Sequence, residues 1–199
     1  MNNSYKQILD IVKHRGLIRP RDLVAQNLPR IMLTRMVEEG KLVRVSRGIY
    51  TAPNRKVSEH SALTEIGCKY PQSIICLLSA LRFHGLTAQL PFEVWTAIES
   101  KSRTPKIDYP PLRIVRFSGV ALTLGIDEIV IEKVTVRITN QARTVVDCFK
   151  FRNQIGLDVA LEALQEVWRL KRVNMDELWS YATQLRIANV IRPYLESLQ

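Results

Sequence analysis

The sequence predicts an α+β protein: an N-terminal winged helix-turn-helix over residues 1–53, then a mixed α/β domain over residues 57–199 that closes with a helical segment. Three observations carry this expectation. Short helical periods punctuated by Pro and Gly precede a hairpin pattern, positive charge concentrates in the same segment, and apolar residues after Gln141 recur at helical spacing alone. With 199 residues, 46% hydrophobic and 24% charged, the chain can close one large core or two small ones, and disordered, collagen-like and low-complexity classes are excluded.

Ser4 caps a first helix whose apolar residues Tyr5, Ile8, Leu9 and Val12 share a face, and His14-Arg15-Gly16 gives it a basic last turn and a stop. Pro20 suits the first turn of a short second helix, with Leu23 and Val24 on one face and an end near Asn27. Pro29 opens a third. At about 100° per residue, Leu33, Met36 and Val37 gather on one side of it, while Ile31, Thr34, Arg35 and Glu38 gather on the other, and Gly40 ends it. Leu42–Val45 and Ile49–Ala52 are β-prone runs on either side of Ser46-Arg47-Gly48, which is a hairpin signature.

Asn54-Arg55-Lys56 reads as a short polar linker. Beyond it, Ser58–Lys69 and Leu77–His84 read as helices, and Val94–Ile98, Arg113–Phe117 and Val134–Thr139 as strands. The segment 102–112, with Pro105, Pro110 and Pro111, reads as a loop. Ile138–Asp147 reads as strand, cap and helix, with Arg143 and Asp147 spaced i, i+4 to pair. Helical periods then follow through Leu157–Trp168, Leu178–Leu185 and Ile191–Leu198.

The formal charge is +10, and residues 1–53 hold ten Lys and Arg against four Asp and Glu, a net +6. A helix fits the major groove, so a third helix presenting Arg30, Ile31, Thr34 and Arg35 is placed as a recognition helix is. Arg reads guanine edges, Thr bonds several edges and Ile meets a thymine methyl. Lys41, Arg44, Ser46 and Arg47 complete the expected double-stranded DNA contacts, with Gly48 letting the turn approach phosphates. After residue 153, five basic residues face six acidic ones, a balance that suits packing or protein contact rather than nucleic acid.

Catalytic, metal and cofactor sites are not expected. Glu99-Ser100-Lys101 after an apolar strand is half of a restriction-type nuclease site, but no Asp occurs between Asp22 and Asp108, so Glu65 would have to complete a metal pocket. His14, His60 and His84 match no zinc spacing, and Cys68, Cys76 and Cys148 read as small core residues of a reducing cytoplasm. No Gly-x-Ser-x-Gly elbow or Gly-rich phosphate loop occurs. The first ten residues lack a signal-peptide pattern and no run approaches the ~18 apolar residues of a membrane span, so a cytoplasmic chain without membrane contact is expected.

Gly16-Leu17-Ile18 with Asp22-Leu23, Pro29-Arg30, Leu33–Val37, Gly40-Lys41-Leu42 and Arg47-Gly48-Ile49-Tyr50 resemble the winged-helix start of AbiEi-type antitoxins, transcriptional regulators of abortive-infection toxin-antitoxin systems. Ser79-Ala80-Leu81, His84-Gly85-Leu86, Trp95, Ile138–Asp147 and Gly156–Ala160 are similar to the family's C-terminal domain. The resemblance implies a regulator that binds inverted repeats in its own promoter and counters a nucleotidyltransferase toxin through its C-terminal domain, as a functional or transient partner. A stand-alone ligand-sensing transcription factor is the alternative reading, and the divalent-metal nuclease is a further one.

Overall fold

In the computed structural model, which describes residues 3–107 and 109–198, the first helical period is realised as α1 (Asn3–Arg15). It buries Ile8 and Val12 and stops at Gly16, whose φ of +70° favours glycine. In α2 (Pro20–Val24) the Arg19 backbone N–H donates to Asp22 Oδ2 at 2.7 Å, closing a capping box. Leu23 is buried, but Val24 turns to solvent, which corrects the shared face expected for the pair: neighbours about 100° apart on so short a helix cannot both point inward. Pro29 and Arg30 form the turn into α3 (Ile31–Glu38), which buries Met32, Leu33 and Met36.

The hairpin follows as β1 (Val43–Ser46) and β2 (Ile49–Thr51), antiparallel, with Arg44 opposite Tyr50 and a register shift between Arg44 and Ser46. Ile18 adds a third edge by exchanging backbone hydrogen bonds with Tyr50 at 3.0 and 2.9 Å. Ile8, Ile18, Leu23, Leu33, Met36 and Leu42 close the core of these elements.

The chain divides into two compact units, and the first of them runs from the N-terminus to Gln72 and also includes Ile129–Val136. Arg55, expected in a polar linker, is instead nearly buried, donating to Glu132 and to Thr64 Oγ1. The next helix, α4 (Ser61–Lys69), starts three residues later than the sequence suggests. Gly67 permits close approach there, since a Cβ would meet Val136 Cγ2 at 3.0 Å and Thr135 O at 3.1 Å.

The second unit comprises Ser73–Glu128 and the chain from Arg137 onward. Its elements begin with β3 (Ile74–Ile75), α5 (Leu77–His84), β4 (Val94–Glu99) and β5 (Leu112–Phe117), followed by β6 (Ile126–Ile131) and β7 (Val134–Thr139), whose 129–136 tip is counted with the first unit. The sheet order is β5-β4-β3-β7-β6, with β3 antiparallel to β4 and parallel to β7, and β4 parallel to β5. Glu132 and Lys133, at φ +49° and +69°, make the two-residue turn between β6 and β7.

Five helices complete the chain: α6 (Gln141–Lys150), α7 (Arg152–Ile155), α8 (Leu157–Arg169), α9 (Met175–Gln184) and α10 (Ala188–Glu196). Every residue of α6 from Ala142 to Phe149 is buried, because α5, α8, α9 and α10 all pack against it. Among the described residues, no helix is long and apolar enough to cross a membrane.

Candidate nucleic-acid interface

The outward face of α3 follows from what its inward face buries. Met32, Leu33 and Met36 lie 6%, 1% and 0% exposed in the core, which leaves Ile31 54% exposed with Thr34, Arg35 and Glu38 beside it. Burying Ile31 elsewhere would gain about 1.5–3 kcal/mol, so an exposed Ile on a charged face is a feature that folding alone does not favour. Arg30 precedes the helix and is also exposed. The structure therefore brings Arg30, Ile31, Thr34 and Arg35 to one end and one side of a single helix.

In the hairpin, Arg44 on β1 and Arg47 in the turn are exposed, and Gly48 at φ +77° makes the turn. The other two expected contacts are placed differently. Ser46 Oγ is buried beside the Glu65 carboxyl, whose pKa burial pushes up against the opposing influence of the Ser46 hydroxyl and the Arg55 and Lys69 charges. Its hydroxyl is not presented outward. Lys41 Nζ sits 2.5 Å from Glu39 Oε2 and over the Tyr5 ring at 4.5 Å, while Tyr5 OH donates to Glu39 Oε1 at 2.7 Å. Hydrogen bonds from Lys41 and Tyr5 hold the Glu39 carboxyl below its ordinary value, so much of the Lys41 charge is matched within the fold.

The basic residues thus divide by task. Arg19 donates through Nε and NH2 to Asp22 at 3.1 and 2.9 Å and through NH1 to Cys68 O, and Arg15 NH1 approaches Asp22 at 3.5 Å. Burial raises the Asp22 pKa, but the Arg19 hydrogen bonds and the two Arg charges outweigh it and hold the carboxyl below the usual range. Arg30, Arg35, Arg44 and Arg47 make no hydrogen bond or ion pair among the described residues, so their guanidinium donors are available to a ligand. Guanidinium groups without a hydrogen bond or ion pair on an exposed helix face and turn suit an anionic partner, although the Arg35 charge also helps to lower the Glu39 pKa.

A support for this unit lay outside sequence reasoning. The Glu132 carboxylate accepts from Arg55 Nε at 2.9 Å, from Arg55 NH2, and from Ser58 N at 2.9 Å and Ser58 Oγ. Lys133 Nζ donates to Lys13 O at 2.6 Å, at the end of α1. Gly16 is required here, because a Cβ would lie 2.4 Å from Glu132 O. Burial raises the Glu132 pKa, and the Ser58 and Arg55 hydrogen bonds overcome that and lower it.

Of the residues weighed for catalysis, Glu99 and Lys101 are exposed and Glu65 is buried. Glu99 is exposed at the end of β4, and the turn after it is held by Arg116, whose NH1 donates to Ser100 O at 2.9 Å and Ser102 O at 2.8 Å and whose NH2 donates to Thr104 Oγ1 at 3.0 Å. Glu65 belongs to the other unit. Among the described residues, no group of three His, Cys, Asp or Glu is placed to hold a metal ion. Arg143 and Asp147 pair as their spacing suggested, Nε to Oδ2 at 3.0 Å with both side chains 0% exposed, and Asn140 Oδ1 caps α6 by accepting from Arg143 N at 2.9 Å. Burial pushes the Asp147 carboxyl up to about 6 against the pull of Arg143. Cys68, Cys76 and Cys148 are free and buried, and burial raises all three thiol pKa values, that of Cys68 to about 11.

Residues 6–53 match the model of a family described as transcriptional regulator, AbiEi antitoxin. The matched segment spans α1 to β2, including every expected DNA contact, so the resemblance read from the sequence holds over the N-terminal elements. The later blocks, from Ser79-Ala80-Leu81 to Gly156–Ala160, lie outside it. No curated protein matches the chain significantly.

Proposed function

We propose that this AbiEi-type regulator is an antitoxin and autorepressor that binds inverted repeats in its own promoter, using α1 to β2 as a winged helix-turn-helix. The observation that carries the reading is the outward face of α3, where Arg30, Ile31, Thr34 and Arg35 stand unburied and its two arginines unpaired on the family-matched segment. In this reading α3 enters the major groove. Arg35 and Thr34 bond base edges, Ile31 meets a thymine methyl, and Arg44 and Arg47 hold phosphates from the hairpin.

The second unit, with its sheet and the helices around α6, carries the antitoxic role against a nucleotidyltransferase toxin. The protein works in the cytoplasm, as a binding protein without a reaction of its own. Binding measured by fluorescence anisotropy on operator and random duplexes tests this. Arg35→Ala weakens operator binding by about 1–3 kcal/mol and random binding much less, whereas Arg47→Ala weakens both alike and lowers the salt slope by about one. Equal losses on both duplexes for Arg35→Ala contradict base reading. Metal-dependent cleavage of plasmid DNA, abolished by Glu99→Ala or Lys101→Ala, favours the nuclease instead.

A further inference from the structure

The sheet of the second unit ends on β5, which pairs with β4 one for one from Val94–Leu112 to Glu99–Phe117 without a register shift. Val94 N donates to Pro111 O at 2.8 Å and Ser100 N to Phe117 O at 2.9 Å, so the backbone groups of the odd-numbered residues face β4. Those of Leu112, Ile114 and Arg116 face away from it. Among the described residues, these outward N–H and C=O groups make no hydrogen bond. Proteins commonly blunt such an edge with a proline, a bulge or a covering segment that pairs with it. Here Pro110 and Pro111 stop short of β5, and the ladder holds no bulge.

What marks this edge is its charge. Residues 101–116 hold five Lys and Arg against one Asp. Arg113 is exposed, 5.5 Å over the Trp95 ring and no closer than 4.0 Å to Glu93. Arg116 is committed to the carbonyls of Ser100 and Ser102, and so fixes the turn that carries the exposed Lys101 and Arg103. Pairing β5 with its own copy gathers the arginines of both along one seam, a like-charge arrangement that strand pairing disfavours. Phe92 and Tyr109, 90% and 68% exposed, lie just before β4 and β5 and add aromatic surface at the end of the sheet where both strands begin.

We propose that the free edge of β5 takes up an extended, acidic segment of a partner protein as a sixth strand, its backbone pairing with Leu112, Ile114 and Arg116 and its carboxylates drawn by Arg113 and the basic turn. Main-chain hydrogen bonds supply the affinity of such strand addition, and the side chains beside them supply the selection. The arginines thus reject a second copy and admit an acidic strand.

The full chain mixed with the synthetic peptide acetyl-EVTVEVTE-amide tests this, beside its lysine counterpart acetyl-KVTVKVTK-amide and the proline-interrupted acetyl-EPTVEPTE-amide. The expected result is slowed amide hydrogen exchange at Leu112, Ile114 and Arg116, with a Kd below about 1 mM for the labelled acidic peptide by fluorescence anisotropy. The lysine and proline peptides bind at least about tenfold more weakly. Arg113→Glu weakens the acidic peptide about tenfold, and Ile114→Pro, which removes one outward N–H, does the same with an unchanged circular dichroism spectrum. Leu112→Pro serves in its place should Ile114→Pro fail to fold. The proposal is overturned if the acidic peptide does not bind, if either control peptide binds equally well, if the folded variants bind undiminished, or if exchange at the three amides is unchanged. Sedimentation that reveals a dimer dissolved by Ile114→Pro also overturns it, since a second copy then occupies the edge.

Discussion

Replacing Glu132 by Ala removes one carboxylate and leaves four donors without it: two of Arg55 and two of Ser58. The Arg55 and Glu132 side chains are 10% and 13% exposed, so the pair is nearly withdrawn from water. An exposed pair is worth at most about 1 kcal/mol, whereas removing one partner of a buried pair costs about 3–5 kcal/mol. Arg55 retains Thr64 Oγ1 and a little solvent, which places the expected cost near the lower bound, about 3 kcal/mol. Arg55→Met together with Glu132→Ala removes the stranded charge, so the double variant should be more stable than Glu132→Ala alone by about 1 kcal/mol or more. Equilibrium urea unfolding of the full chain, followed by circular dichroism, measures both. A loss below about 1 kcal/mol for Glu132→Ala, or strictly additive single costs, refutes the buried-pair reasoning.

Three further outcomes follow from the same geometry. Asp147→Ala should cost about 3–5 kcal/mol in unfolding experiments, because it leaves the fully buried Arg143 without a counter-charge, held by the carbonyls of Leu124 and Ala121 and the face of the Phe117 ring. The three thiols should stay inert to a water-soluble thiol reagent in the native protein and react together on unfolding; fast reaction of any of them in native buffer would contradict their burial. Asp22 and Glu132 have depressed folded-state pKa values, so their stabilisation is complete above the unfolded values of about 4 and is lost as pH falls through the depressed ones. Acid unfolding should therefore steepen below about pH 4, and Asp22→Asn and Glu132→Gln should each flatten that slope.

What the sequence made legible was local. Pro20 and Pro29 open turns, Gly16, Gly40 and Gly48 take positive φ, and the period of α3 separates Leu33 and Met36 from Ile31 and Arg35 without help from distant residues. The Arg143–Asp147 pair was legible because one helical turn supplies both partners. Longer reaches were not. Arg55 reads as a linker residue because its carboxylate lies 77 positions away on a hairpin tip. β3 has only two residues, Ile74 and Ile75, too few to show a period although it sits mid-sheet. β6 carries Asp127 and Glu128 side by side on an edge strand, which breaks the alternation that marks β7.

Footprinting of the full chain on its own upstream region tests the DNA-binding claim most directly. Protection of an inverted repeat is expected at concentrations that leave random flanking sequence open, with Arg35→Ala losing that selectivity by about tenfold or more and the protein remaining folded. No protected repeat, or protection that Arg35→Ala and Ile31→Ala leave unchanged, would contradict the assignment of α3 as the reading helix.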